Sequence, residues 1–202
     1  GEDGLDRVFF LTAKSPGRQL ALDALTHLTP RPSLRILELT AREKACEHPD
    51  RACHGESCPL ARGFYDRLPA ARAAAVDAGT MDRHTLRRVG LAHAICPYYL
   101  AQELSRWSDV VVGDYNYYFD FSAALYMLTL QNEWRVGLLV DEAHNLVDRA
   151  RGMYSAPLDG TVLRDARAAA PKVARRAIGD VARAWTAAAA PADGNYLARD
   201  DS

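Results

Sequence analysis

The sequence predicts an α/β protein: a partial parallel sheet with helices on its faces, interrupted by a helical insertion and followed by a further helical region. Three observations carry this reading. Short apolar runs at 8–11, 34–39, 110–112 and 136–140 alternate with helical patterns, the rhythm of βαβ units. Residues 40–107 break that rhythm with all four cysteines, four of the six histidines and no strand-like segment. The stretch Leu138-Leu139-Val140-Asp141-Glu142-Ala143-His144 ends an apolar run in two adjacent carboxylates, which places them at the carboxyl edge of a buried strand, where open α/β sheets bind ligands.

Taken in order, residues 1–7 are polar and read as a loop. Val8-Phe9-Phe10-Leu11 is a short buried strand, and Thr12-Ala13-Lys14-Ser15-Pro16-Gly17 a turn. Leu20, Leu22, Ala24, Leu25 and Leu28 then give one helical face, which Thr29-Pro30-Arg31-Pro32 stops. Leu34 to Leu39 reads as a second strand, completing a right-handed βαβ unit. Within the insertion, helical patterns lie near 60–76 and 84–94. A helix through Leu100 and Leu104 leads into Val110-Val111-Val112, an aromatic-rich loop follows at 113–120, and 123–130 is an apolar helix. After residue 150, Ala/Arg-rich segments punctuated by Pro157, Gly160 and Pro171 take over, with Ile178, Val181 and Trp185 on one helical face and a frayed end at 191–202.

The chain has 202 residues, 49% of them hydrophobic, which is ample for a core. A formal net charge of −1 excludes a polybasic tail but not a local positive groove. No apolar run approaches membrane-spanning length and no signal-peptide pattern opens the chain, so a cytoplasmic protein is expected. In a reducing compartment, three cysteines within thirteen residues favour metal over disulfides.

Two sets of residues carry chemistry. An Asp at the end of an apolar strand can hold the Mg²⁺ that bridges nucleotide phosphates, and a neighbouring Glu can orient the attacking water; Asp141 and Glu142 fit those roles. Acids opening the next helix, where they suit its N-terminal dipole, are the alternative. Cys46, Cys53, Cys58 and Cys96 run C-x6-C-x4-C-x37-C. Four thiolates complete either a zinc or an iron–sulfur site; the irregular spacing, without paired C-x2-C knuckles, favours the cluster. Free structural cysteines are the remaining reading.

Asp141-Glu142-Ala143-His144 resembles the DEAH box of superfamily 2 helicases. Leu39 to Cys46, then Ala94-Ile95-Cys96-Pro97-Tyr98-Tyr99-Leu100, then Val110 to Tyr117, then the box, stand in the order found in XPD/DinG-like iron–sulfur DNA helicases. The resemblance covers residues 8 to about 150. It implies a RecA-like (P-loop NTPase-type) sheet, with domains at 1–40 (motor domain 1), 41–107 (iron–sulfur insertion), 108–152 (motor domain 1 continued) and 153–202 (start of a helical arch). It further implies a [4Fe–4S] cluster on Cys46, Cys53, Cys58 and Cys96, and Mg²⁺ and ATP at Asp141 and Glu142, with His144 coupling that site to nucleic acid. Contacts to single-stranded or forked DNA fall to Thr12, Lys14, Ser15, Arg42, Lys44, Tyr98, Asn116 and Tyr117. Cations for phosphates and aromatic rings for bases are what such a groove requires.

One departure matters. A P-loop needs G-x-x-x-x-G-K-[ST], and the chain contains no Gly-Lys pair. The reading is therefore of a fragment of an ATP-dependent DNA helicase, 5′ to 3′ by resemblance and acting in repair or recombination, itself inactive as an ATPase. A non-catalytic nucleic-acid-binding module built on the cysteines, and a zinc-stapled interaction domain, are the rival readings.

Overall fold

In the computed structural model of the chain, residues 4–28, 34–121 and 123–188 are described, so the helix stop at Thr29–Pro32 and the end at 191–202 lie outside the described residues. The chain divides into two units, residues 1–154 and 155–202.

The first unit is built on five strands: β1 (Arg7–Leu11), β2 (Ile36–Glu38), β3 (Thr80–Met81), β4 (Val110–Gly113) and β5 (Val136–Val140). Their order across the sheet is β3-β2-β4-β1-β5, and every pair is parallel. The helices are α1 (Ser15–Thr26), α2 (Arg42–Ala45), α3 (Phe64–Asp77), α4 (Arg83–Ala92), α5 (Pro97–Leu104), α6 (Asn116–Phe119), α7 (Ala124–Gln131) and α8 (Leu146–Met153), the last preceded by a 3₁₀ turn at Ala143–Asn145.

Strand alternation distributes the side chains. Phe9, Leu11, Leu37 and Val111 pack with Leu68, Leu86, Leu100, Leu104 and Leu125 in the principal core. Val110, Val112 and Ile36 meet Ala21 and Leu22 of α1 in a second cluster. Each fully buried Leu or Phe in these layers contributes about 1.5–3 kcal/mol. Local signals fix the helix starts. Pro16 sits in the first turn of α1, where its missing N–H costs nothing. The Asp82 carboxylate accepts the Thr85 N–H at 2.7 Å to cap α4.

The strand–helix–strand unit β1-α1-β2 forms within the parallel sheet, with β4 between its two strands. Its Val110-Val111-Val112 run is buried on both faces, and the centre of a parallel sheet favours such a segment. The insertion is not free of strands, since β3 pairs with β2 through Ile36↔Thr80 and Leu37↔Met81. The aromatic segment after β4 turns into the short helix α6 instead of remaining a loop.

The strand bearing the carboxylates is not buried either. Among the described residues β5 pairs only with β1, and Leu138 and Leu139 are 36% and 54% exposed. Beside it, on the α1 face, Phe10, Leu25, Leu28 and Leu139 line an apolar groove of about 360 Å³.

The second unit is a pair of helices, α9 (Gly160–Ala169) and α10 (Lys172–Ala188). Asp159 caps α9 by accepting the Thr161 and Val162 N–H groups at 2.6 and 3.1 Å, and these bonds hold its carboxyl below the usual range. The connection is closed by Arg175, whose Nε donates to the Ala170 carbonyl at 2.8 Å.

Candidate functional site

The parallel sheet brings the ends of β1, β4 and β5 to one edge, and Asp141 stands there because its N–H continues the ladder to the Leu11 carbonyl at 2.9 Å. The Thr12 hydroxyl, 1% exposed as a residue, donates to Asp141 Oδ2 at 3.0 Å. The Tyr115 hydroxyl donates to the Asp141 carbonyl. Gly17, in the first turn of α1, leaves the carboxylate its space: a Cβ there would lie 2.8 Å from Asp141 Oδ2 and 2.5 Å from Thr12 Oγ1. Asp141 is thus held by Leu11, Thr12 and Tyr115, residues 26 to 130 positions away.

Glu142 adopts φ 52°, ψ 41°, a left-handed conformation that costs an L-residue about 1–2 kcal/mol. The turn directs its carboxylate outward, where it stands 3.3 Å from His144 Nε2 and accepts from Asn145 Nδ2 at 3.3 Å. His144 itself is largely exposed. Strain of this kind collects where a fold over-determines a functional side chain.

Behind the acid pair, Arg149 of α8 donates to both Asp114 oxygens at 2.8 and 3.1 Å and to Asn116 Oδ1 at 3.3 Å. This ties the helix after the acids to the loop after β4. Sequence pattern gave no signal for this link, because Arg149 lies 35 residues from its partner and carries no motif.

The cysteines gather around the start of α5. Cys58 and Cys96 are buried in an apolar cluster with Leu60, beside Phe64 and Tyr98. The Cys96 N–H donates to the Leu60 carbonyl at 3.2 Å, joining the two cysteine-bearing segments. Cys96 is the N-cap of α5. Burial raises its thiol pKa, against the pull of the Tyr99 and Tyr98 N–H groups, and Cys46 and Cys58 are near enough to add to the rise. Cys53 is exposed, 3.9 Å from Arg42 Nη1 and within reach of Tyr99.

Four thiols around a helix N-terminus, two of them shielded from water, are a donor set that suits soft metals. Among the described residues, no group of three or more His, Cys, Asp or Glu side chains is arranged to hold a metal ion.

Between the sheet edge and the cysteines runs a groove of about 550 Å³. It gathers Ser15, Arg42, Lys44, Tyr98, Asn116 and Tyr117, six of the eight residues that the sequence points to for strand contacts. Lys44 Nζ donates to Ser15 Oγ at 3.3 Å across it. Lys14 is exposed at the N-cap of α1 but does not line the groove, and the Thr12 hydroxyl is engaged by Asp141. Tyr117 lines the groove with its hydroxyl already donated to the Thr40 carbonyl at 3.1 Å, and burial pushes its pKa up to about 12. Arg18 and Tyr99 also line the groove. The sequence pattern gives Arg18 no role, yet its guanidinium is buried 3.6 Å from Glu38.

Fold and site together define an α/β protein of the superfamily 2 helicase type. The chain belongs to the DEAD_2 family, whose model matches residues 5–163. A regulator of telomere elongation helicase 1 homolog from Anopheles gambiae is 32% identical over 139 residues, 62% of this chain and 14% of that protein. The ATP-dependent DNA helicase CHL1 of Candida glabrata is 34% identical over 77 residues, 38% of this chain and 9% of that one. The chain therefore spans only a small part of the relatives it matches. Among solved structures, an XPD helicase superposes with a TM-score of 0.54 at 16% identity, covering 89% of this chain and 32% of that one. A truncated XPD gives the same score and identity over 98% and 59%. These two show the shared fold.

Proposed function

We propose that the whole protein is an ATP-dependent DNA helicase of the iron–sulfur type and that this chain supplies part of its first motor domain. The observation that carries the reading is the groove: six residues from β1–α1, α2, α5 and α6 converge on one surface between the acid pair and the cysteines. Arg42 and Lys44 present cations for a strand's phosphates, and Tyr98 a ring for a base.

Asp141 would hold Mg²⁺ of bound ATP, with Glu142 placed to orient water and His144 linking that edge to the nucleic-acid side. Cys46, Cys53, Cys58 and Cys96 would hold a [4Fe–4S] cluster, which when bound supplies a covalent staple across three chain segments. In this reading the divisions run 1–40, 41–107, 108–152 and 153–202, the last opening a helical arch. The whole protein would move 5′ to 3′ on single-stranded or forked DNA in repair or recombination, in the bacterial cytosol or nucleoid. No helix among the described residues is long and apolar enough to cross a membrane. Without a Gly-Lys pair, the chain alone is expected to show no Mg-dependent ATPase activity.

The test is anaerobic purification followed by an absorption spectrum with iron, sulfide and zinc on one sample, and fluorescence anisotropy with labelled oligo-dT. Iron and sulfide close to four each per chain are expected. Strand affinity should fall about tenfold in the Arg42→Ala, Lys44→Ala variant, with a shallower salt dependence. A colourless protein with about one zinc, or oligo-dT binding indifferent to both substitutions, would overturn the reading in favour of a zinc-stapled interaction domain.

A further inference from the structure

An acid stands where a polyanion would pass. Asp114 lines the groove together with Ser15, Arg42, Lys44 and Asn116, and a bare carboxylate there would repel the phosphates that Arg42 and Lys44 attract. The carboxylate is not bare. Arg149 Nη2 donates to its Oδ1 and Oδ2 at 2.8 and 3.1 Å, and the Asn116 N–H donates to Oδ1 at 3.0 Å. Arg149 is not among the residues that line the groove, so it reaches Asp114 from behind the wall.

The same nitrogen donates to Asn116 Oδ1 at 3.3 Å. A guanidinium carries donors only, so the amide atom that meets it is the oxygen. Asn116 Nδ2 is left without a partner among the described residues, and it is the end of the side chain free to donate to a phosphate oxygen or a base. The guanidinium is placed by groups outside the groove. Its carbon lies 5.8 Å from the centre of the Tyr115 ring, which is fully buried, and the Tyr115 hydroxyl is anchored on the Asp141 carbonyl. The α8 helix that bears Arg149 follows the acid pair directly through the 3₁₀ turn. Folding therefore fixes Arg149 beforehand, and strand binding does not bear the cost of ordering it.

We infer that Arg149 is a positioning residue for single-strand binding: it screens Asp114 from the strand's phosphates and turns the Asn116 amide so that its NH₂ group serves the groove. Resting on the reading of the groove as a single-strand site, this role adds to it a residue that itself touches no nucleic acid. Arg149→Met would leave Arg42 and Lys44 in place while unmasking one negative charge and releasing one amide.

The test uses the whole chain, purified anaerobically, and fluorescence anisotropy with labelled oligo-dT for the parent, Arg149→Met, Asp114→Asn and the double variant. Arg149→Met should weaken binding about tenfold and Asp114→Asn should tighten it about threefold. The double variant should return to within about threefold of the parent, because no charge is left to mask. A merely structural link between α8 and α6 would instead leave both single variants and the double variant weak alike. A guanidinium that contacts phosphate directly would leave the double variant as weak as Arg149→Met. Either result, or Arg149→Met binding as tightly as the parent, would overturn the assignment while leaving the strand groove itself standing. If Arg149→Met does not fold, weakened binding in Asp114→Asn alone overturns it and tightened binding supports it. A parent that binds no oligo-dT would remove the groove reading, and this role with it.

Discussion

Gly17→Ala should destabilise the first unit although it replaces a helical glycine with the best helix former. The added methyl would lie 2.5 Å from Thr12 Oγ1, 3.3 Å from Thr12 Cβ and 2.8 Å from Asp141 Oδ2. Thr12 is buried and β-branched, so its χ1 cannot swing freely out of the way. Overpacking of this kind costs about 1–3 kcal/mol. Forcing the Thr12 hydroxyl off a carboxylate costs about 1.5–3 kcal/mol more. Helix propensity returns about 1 kcal/mol. The net loss is about 1.5–5 kcal/mol, which for a chain of this size lowers the melting midpoint by on the order of 3–20 °C. Gly152→Ala is the control, because a Cβ there meets nothing within 4 Å and α8 should gain about 0.5–1 kcal/mol. Urea denaturation of both variants reads the two signs directly. A Gly17→Ala protein as stable as the parent would refute the packing of α1 against the acid pair.

Three further outcomes are expected. Glu142→Gly should be more stable than Glu142→Ala by about 1 kcal/mol in urea titrations, since only glycine relieves the left-handed backbone. Asp109 accepts from Arg35 Nε and Nη2 at 3.0 and 2.7 Å and from its N–H at 2.8 Å, and these bonds, led by the guanidinium, lower its pKa. Because the folded carboxyl titrates below the unfolded one, the stabilisation is present above the unfolded value, near pH 4, and is lost as pH falls through the depressed folded value. Asp109→Asn should flatten the acid limb of a stability–pH profile. Tyr117 behaves in the opposite sense: its pKa of about 12 favours the neutral form, so the stability it contributes is lost as pH rises from about 10 to beyond 12. Tyr117→Phe should remove the last step of an ultraviolet tyrosine titration and cost about 1 kcal/mol at neutral pH.

The elements easiest to read from the sequence are those with a long or unmixed pattern. β1, β4 and β5 are continuous apolar runs, and α4 and α7 fall close to where periodicity puts them. β3 has two residues, Thr80 and Met81, too few for any period, and exists because β2 offers it a partner. The exposure of β5 is also hidden, because Val-Gly-Leu-Leu-Val reads the same at the centre of a sheet as at its edge. In the candidate site, six of the eight residues that the sequence singles out for strand contacts line one groove. What each side chain touches was not legible. Thr12 meets Asp141 across 129 residues and Tyr117 meets Thr40 across 77, and nothing local records either pairing.

The position of β5 has a practical consequence for handling the protein. Among the described residues it has a neighbour on one side only, and its flank presents Leu138, Leu139 and an almost wholly apolar groove to water. Such a strand is a template on which another polypeptide can be laid, with unspent N–H and C=O groups along its length. The molecule should therefore be prone to self-association that grows with concentration, nucleated a few residues from its acid pair. Leu139→Lys, two positions before Asp141, should suppress that association in light scattering while leaving the acid pair and the groove of Arg42 and Lys44 intact. Colloidal behaviour and the candidate chemistry are thus carried by neighbouring residues at one end of the same strand.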